Sequence, residues 1–264
     1  MTRTLVLVPG SFSTSDMYDP VVLPLREKGY SVHALDPPCY PLGYAKGKAA
    51  PSMLDDAKFV SDFVEKLADQ SGEEVVIMAH SYGGIPATQS LEHITATARA
   101  KQGKKGGVTH MAYMTALAPA LGANLMTTIS GGAPPTSMPP MHVDADGWMS
   151  HADASATGAL CFNSLPAAEA RAQATRFGRH SSVSFADALT YPGYQHVSVS
   201  WFFCDDDKCI VPEVQQAAID RIEESWKGTE REGKKVHVRR VKCDHVPIFS
   251  AKEEVEAWIV GLLK

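Results

Sequence analysis

The chain has 264 residues, 44% hydrophobic and 21% charged, which suits a globular protein with a substantial core in one large domain or two small ones. A formal net charge of -5 without a long basic run argues against nucleic-acid binding. No apolar run approaches the ~18 residues of a membrane helix.

The N-terminal MTRTLVLVPG has an apolar part too short for a signal peptide, and its Thr4–Val8 is the first predicted strand, ending at Pro9-Gly10. A serine-rich segment, Ser11 to Asp16, precedes a helix over about Pro20–Lys28 that Gly29 stops. Tyr30–Leu35 reads as a second strand, closed by Asp36-Pro37-Pro38, and a Pro/Gly/Tyr-rich loop covers Cys39–Pro51. Helical periodicity returns over Met53–Ala68, where Ala57, Val60, Val64 and their neighbours form one broad apolar face. A strand at Val75–Ala79 and a helix at Ile85–Glu92 follow, then the basic KQGKK of Lys101–Lys105, which reads as a solvated loop. His110–Leu117 is the next strand, ended by Ala118-Pro119. From about 121 to 194 the pattern breaks into a Gly/Pro/Met-rich stretch, Gly131–Met141, and helices near Pro166–Arg176 and Phe185–Leu189. It resumes with a strand at Val197–Cys204, a helix at Glu213–Trp226, a strand at Lys235–Val241 and a closing helix at Lys252–Leu263.

Strand–helix alternation of this kind predicts an α/β fold: a mostly parallel central sheet with helices on both faces. Residues 1–120 and 195–264 form the core in this reading, and 121–194 is a cap insertion over the sheet's carboxyl end. The five cysteines show no CxxC or Cys/His spacing, and the ten histidines no HExxH pair. The expectation is reduced thiols in a cytoplasmic protein with no metal and no cofactor.

The most informative stretch is Val75–Gly84, VVIMAHSYGG. An apolar strand that turns into a helix around x-Ser-x-Gly forms a nucleophile elbow, in which the bend lifts the serine hydroxyl clear of the sheet. Ala79 replaces the motif's first glycine, a small change. Taken alone, Ser81 also fits an ordinary serine capping a helix. Two further strand ends carry complementary groups: Asp205, Asp206 and Asp207 after one strand, Asp244-His245 after another. Ligands bind beyond the carboxyl ends of such strands, and the order Ser, acid, His is that of the α/β-hydrolase fold.

The chain resembles the α/β-hydrolases of the group that contains plant methyl-salicylate-type esterases, hydroxynitrile lyases and small microbial esterases. The resemblance spans nearly the whole length, on VLVPGSF (6–12), AHSYGG (79–84), AYMTALAP (112–119), FNSLPAAEA (162–170), FFCDDDKCIVP (202–212) and CDHVPIFSAKEE (243–254). In that group the acid stands five residues before a proline, as in C-x-x-D-x-x-I-x-P, which selects Asp207 ahead of Pro212. The resemblance implies Ser81 as nucleophile, His245 as general base, Asp207 as its partner, and His80 as a structural elbow residue. It implies an oxyanion hole from the main-chain N–H of Tyr82 and of Ser11 or Phe12, with Pro9-Gly10 where the family commonly has His-Gly.

The group's lyases carry lysine after the catalytic histidine and a threonine at the position of Gly10, whereas this chain has Val246 and Gly10. Related enzymes that attack epoxides or carbon–halogen bonds use an aspartate at the elbow. Hydrolysis of a carboxylic ester or lactone of a small hydrophobic substrate, through an acyl-enzyme, is the expected activity. Alternatives are a lyase or C–C bond hydrolase using the same Ser-His pair, and a receptor-like relative with little turnover. Met126, Met138, Met141, Trp148, Met149 and Phe162 are candidates for an apolar pocket roof, although each also fits ordinary cap core. A monomer and a homodimer are both compatible with the sequence.

Overall fold

The computed structural model describes residues 3–41, 47, 49–130 and 139–264. Met138 and most of the stretch 131–141 lie outside them. The chain runs β1 (Thr4–Val8), α1 (Asp19–Glu27), β2 (Val32–Ala34), α2 (Met53–Ser71), β3 (Glu74–Ser81), α3 (Gly84–Ile94), α4 (Ala96–Ala100) and β4 (Gly107–Ala116). Then come α5 (Leu125–Ser130), β5 (Met141–Val143), β6 (Trp148–His151), α6 (Ala154–Cys161), α7 (Ala167–Ala174) and β7 (His180–Ser181). The last part holds β8 (Ser198–Cys204), α8 (Pro212–Ser225), β9 (His237–Val241), α9 (Pro247–Ser250) and α10 (Lys252–Leu263).

Six strands form one sheet in the order β2-β1-β3-β4-β8-β9, and every neighbouring pair is parallel. The near-continuous apolar strands follow from burial on both faces. Because side chains alternate along a strand, Val6, Ile77, Met111 and Trp201 enter one core with α2, α3 and α8. Leu7, Met78, Ala112 and Phe202 enter the other, with α1 and α10. Helix starts are encoded locally. Ser52 and Asp55 close a capping box at α2, and Pro20 and Pro212 sit at the first turns of α1 and α8, where a missing N–H costs little.

Between β4 and β8 stands a second, antiparallel sheet in the order β5-β6-β7, with α6 and α7. The helix expected at Phe185–Leu189 does not form. A single 3-10 turn spans Val183–Phe185, and beyond it tertiary hydrogen bonds hold an irregular backbone. The Leu189 N–H donates to Ala123 O, the Leu189 carbonyl accepts from Gly122, and Asp187 accepts from the Met53 N–H. Lys101–Lys105 is an exposed turn, with Lys104 paired to Glu65 at 2.7 Å.

Candidate active site

The sheet brings three strand ends together. Ser81 is the last residue of β3, Asp207 follows β8 by three residues, and His245 follows β9 by four. Ser81 has a left-handed backbone, φ 52°, the conformation of a sharp strand-to-helix elbow. The turn closes only around glycine: a Cβ at Gly83 would lie 2.3 Å from Pro9 O, and one at Gly84 2.3 Å from Leu117 O.

The Ser81 hydroxyl donates to His245 Nε2 at 3.0 Å, and His245 Nδ1–H donates to Asp207 Oδ2 at 2.8 Å. Asp207 is fixed in turn by the N–H groups of Cys209 and Ile210, at 2.7 and 2.9 Å on Oδ1, and by the Thr115 hydroxyl on Oδ2. Its neighbours point elsewhere: Asp205 pairs with Arg240 at 2.6 Å, and Asp206 is exposed. Burial disfavours a charged His245, but the adjacent Asp207 carboxylate, together with the Cys209 side chain, overcomes this and holds its pKa well above that of an ordinary histidine.

His80 joins the loops around this chain of hydrogen bonds. Its Nε2–H donates to the His245 carbonyl at 2.7 Å, and its Nδ1 accepts the Tyr18 hydroxyl at 2.7 Å. Tyr18 Oη accepts the Gly10 N–H at 2.8 Å. Burial, with a smaller contribution from His245, lowers the pKa of His80 to about 3, so it stays neutral and its ring nitrogens keep these opposite roles. Asp244 braces the His245 loop, accepting from the Val246 N–H at 3.2 Å and the Ser250 hydroxyl at 2.6 Å. It also accepts the Ser164 N–H, at 3.0 Å, from the segment between β4 and β8.

The loop after β1 lies beside the elbow. Ser11, Phe12 and Tyr82 use their main-chain N–H groups in no hydrogen bond among the described residues. Phe12 is left-handed, φ 63°, a conformation that a bulky residue keeps only where its surroundings enforce it. Its carbonyl is tied to the Gly178 N–H at 2.8 Å. Tyr82 is anchored through its hydroxyl to Asp56 at 2.9 Å, a carboxyl that burial pushes up to about 7.

These groups border one cleft. Gly10, Ser11, Phe12, Ser81, Tyr82, His245 and Val246 all line it. Asp207 stands behind His245, outside the lining. Three of the residues expected to bind substrate do not reach the wall. In α5, Leu125 and Ile129 share the facing stripe, and Met126, one position on, packs into the core. In β6, His151 faces the cleft and Trp148, of opposite parity, does not. Phe162 is fully buried, 5.5 Å from Phe177 and 6.0 Å from Phe249 between ring centroids. Of the other expected roof residues, Met141 is in the lining and Met149 is core.

Lining residues that sequence reasoning passed over include His151, Cys161, Phe177 and Phe185 from the inserted segment, and Cys209 and Ile210 beside Asp207. Only Ile210 had a signal, as the isoleucine of the pattern that selected Asp207. No Lys, Arg, Asp or Glu lines the cleft among the described residues. No group of His, Cys, Asp and Glu side chains among them is arranged to hold a metal ion.

Residues 5–258 match the sequence model of the alpha/beta hydrolase family. A curated relative, the probable hydrolase R7 of a Phoma species, is 31% identical over 260 residues, covering 97% of this chain and 96% of its own. Among solved structures, a pyrethroid hydrolase from Sphingobium faniae superposes with a TM-score of 0.72 at 19% identity, over 100% of this chain and 98% of that one. Polyneuridine aldehyde esterase superposes with a TM-score of 0.70 at 15% identity, over 100% of both chains. At such identities the structural likeness speaks for the fold.

Proposed function

The chain belongs to the alpha/beta hydrolase family, and on that footing we propose that it is a serine hydrolase cleaving a carboxylic ester or lactone of a small, hydrophobic, uncharged substrate. The observation that carries this reading is the unbroken hydrogen-bond chain Ser81–His245–Asp207 at the wall of an apolar cleft. In the proposed cycle Ser81 Oγ attacks the carbonyl carbon while His245 Nε2 takes its proton, and Asp207 holds the ring's tautomer and stabilises the imidazolium. The oxyanion is met by main-chain N–H groups of Tyr82 and of Phe12 or Ser11, which have no other acceptor among the described residues. His245 returns the proton to the departing alkoxide, leaving an acyl-Ser81 that water hydrolyses by the same steps. An apolar Val246, 2% exposed, next to the base supports hydrolysis over a lyase reaction that expels an anion. A cytoplasmic location belongs to the same reading, supported by five free cysteines.

The test is hydrolysis of p-nitrophenyl acyl esters of rising chain length, with product identification. The reading expects a burst of nitrophenol, a preference for apolar over carboxylate-bearing acyl groups, and loss of turnover by at least ~10³-fold in Ser81→Ala. Equal rates in wild type and variant would refute it.

A further inference from the structure

The cleft contains one polar group that the proposed reaction does not use. His151 ends β6 and lines the same wall as Ser81 and His245. Its ring is clamped. Nδ1 lies 2.9 Å from Thr157 Oγ1, the Phe12 ring packs edge-on with centroids 4.4 Å apart, and Phe177 lies at 5.3 Å. Its Nε2 is shut off from solvent and has no hydrogen-bond partner among the described residues. Buried polar atoms are nearly always paired, so an orphan in the wall of a ligand cleft points to a partner that arrives with the ligand.

The proton on this ring can be placed. Burial lowers the pKa of His151 to about 4, so near neutrality one nitrogen carries hydrogen and the other a lone pair. Thr157 is fully buried, and the one hydrogen-bond partner its hydroxyl has among the described residues is His151 Nδ1. A buried hydroxyl keeps its proton in a hydrogen bond, so Thr157 donates to Nδ1 and the imidazole hydrogen sits on Nε2. The orphan is therefore a donor and requires an acceptor. No Lys or Arg lines the cleft among the described residues, so a carboxylate acceptor would be buried without a counter-ion. A neutral oxygen has no such cost.

His180 provides the contrast. Its Nδ1 is also unpartnered among the described residues, but its ring is stacked on Tyr40 at 5.1 Å and abuts Tyr82 at 4.5 Å, outside the lining of the cleft.

We propose that His151 is a substrate-binding residue whose Nε2–H, closed off in the unliganded cleft, is uncovered when substrate enters and donates a hydrogen bond to an uncharged ether, hydroxyl or ketone oxygen remote from the scissile ester. The inference deepens the hydrolase reading and rests on it for the identity of the ligand as an ester. It makes the preferred substrate an oxygenated hydrophobic ester or lactone in place of a plain alkyl one. A methylene at that point leaves the donor unpaired, and selection of this kind is stronger than selection by apolar fit alone.

The experiment is an ether scan. Butyl pentanoate, and analogues in which one methylene of either chain becomes an ether oxygen, are titrated calorimetrically into Ser81→Ala, which reads binding without turnover. At one position the ether analogue is expected to bind about tenfold more tightly than the parent ester. That ratio falls to one or below in Ser81→Ala/His151→Phe, which keeps the aromatic packing, and is partly restored in Ser81→Ala/His151→Gln, which keeps a donor. Thermal melting of each variant identifies misfolded protein. If no ether analogue outbinds the parent, or if the preference survives His151→Phe, the proposal is wrong. Turnover of the same esters by the wild type, measured separately, reports on the hydrolase reading alone.

Discussion

Ser81 occupies a backbone conformation that costs a non-glycine residue ~1–3 kcal/mol, and the fold spends that energy on aiming one hydroxyl. The base it faces has a predictable acid limb. In the proposed cycle only a neutral His245 can accept the Ser81 proton, and the Asp207 carboxylate raises the pKa of His245 against the opposing effect of burial. In the free enzyme kcat/KM should therefore rise with pH through a value above the ordinary ~6.5 of histidine. Asp207→Asn removes the charge, so the limb should move to lower pH while the plateau drops by ~10³–10⁴-fold. A pH–rate profile with p-nitrophenyl butyrate measures both, and a limb that stays in place in the variant would contradict the assigned coupling. At this scale the sequence was legible where residue type and strand end coincide, as for Ser81, Asp207 and His245. It was not legible for Met126 and Trp148, because packing decides which side of a short helix or strand faces the cleft. His151 is one histidine among ten, and its unpartnered nitrogen is a property of the folded chain only.

The β3–α3 turn is the element with least freedom. The missing Cβ of Gly83 would lie 2.3 Å from Pro9 O and 2.7 Å from Val8 O, both main-chain atoms that cannot rotate away. Gly83→Ala is expected to lower stability by at least ~2 kcal/mol, and to reduce turnover of the folded fraction further by shifting the elbow against the β1 loop. Chemical denaturation and active-site titration separate the two losses, and a variant that unfolds with the wild type would show that the contact relaxes freely. Alternating strands and helices revealed the core elements because burial on both sheet faces writes long apolar runs. The short strands β5, β6 and β7 left no such trace. They are stabilised by pairing across the insertion, as Met141 with His151 and Trp148 with Ser181, and their sequences carry little periodicity of their own. The helix expected at Phe185–Leu189 was lost to tertiary hydrogen bonds that outweigh local propensity.

At the scale of the molecule, a six-stranded parallel sheet supplies the rigid strand ends, and the segment between β4 and β8 supplies much of the apolar wall. No helix among the described residues is long and apolar enough to cross a membrane. In the proposed reading the work is divided: residues at the sheet's strand ends would carry out the chemistry, and residues of the insertion that line the cleft would select the substrate. All of it depends on Ser81 being an activated nucleophile. The most direct measurement is the intact mass of the protein after exposure to a fluorophosphonate, wild type beside Ser81→Ala. The account predicts one phosphonyl group per wild-type chain, located on Ser81, and none on the variant. An unlabelled, correctly folded wild type, or equal labelling of both proteins, would contradict it.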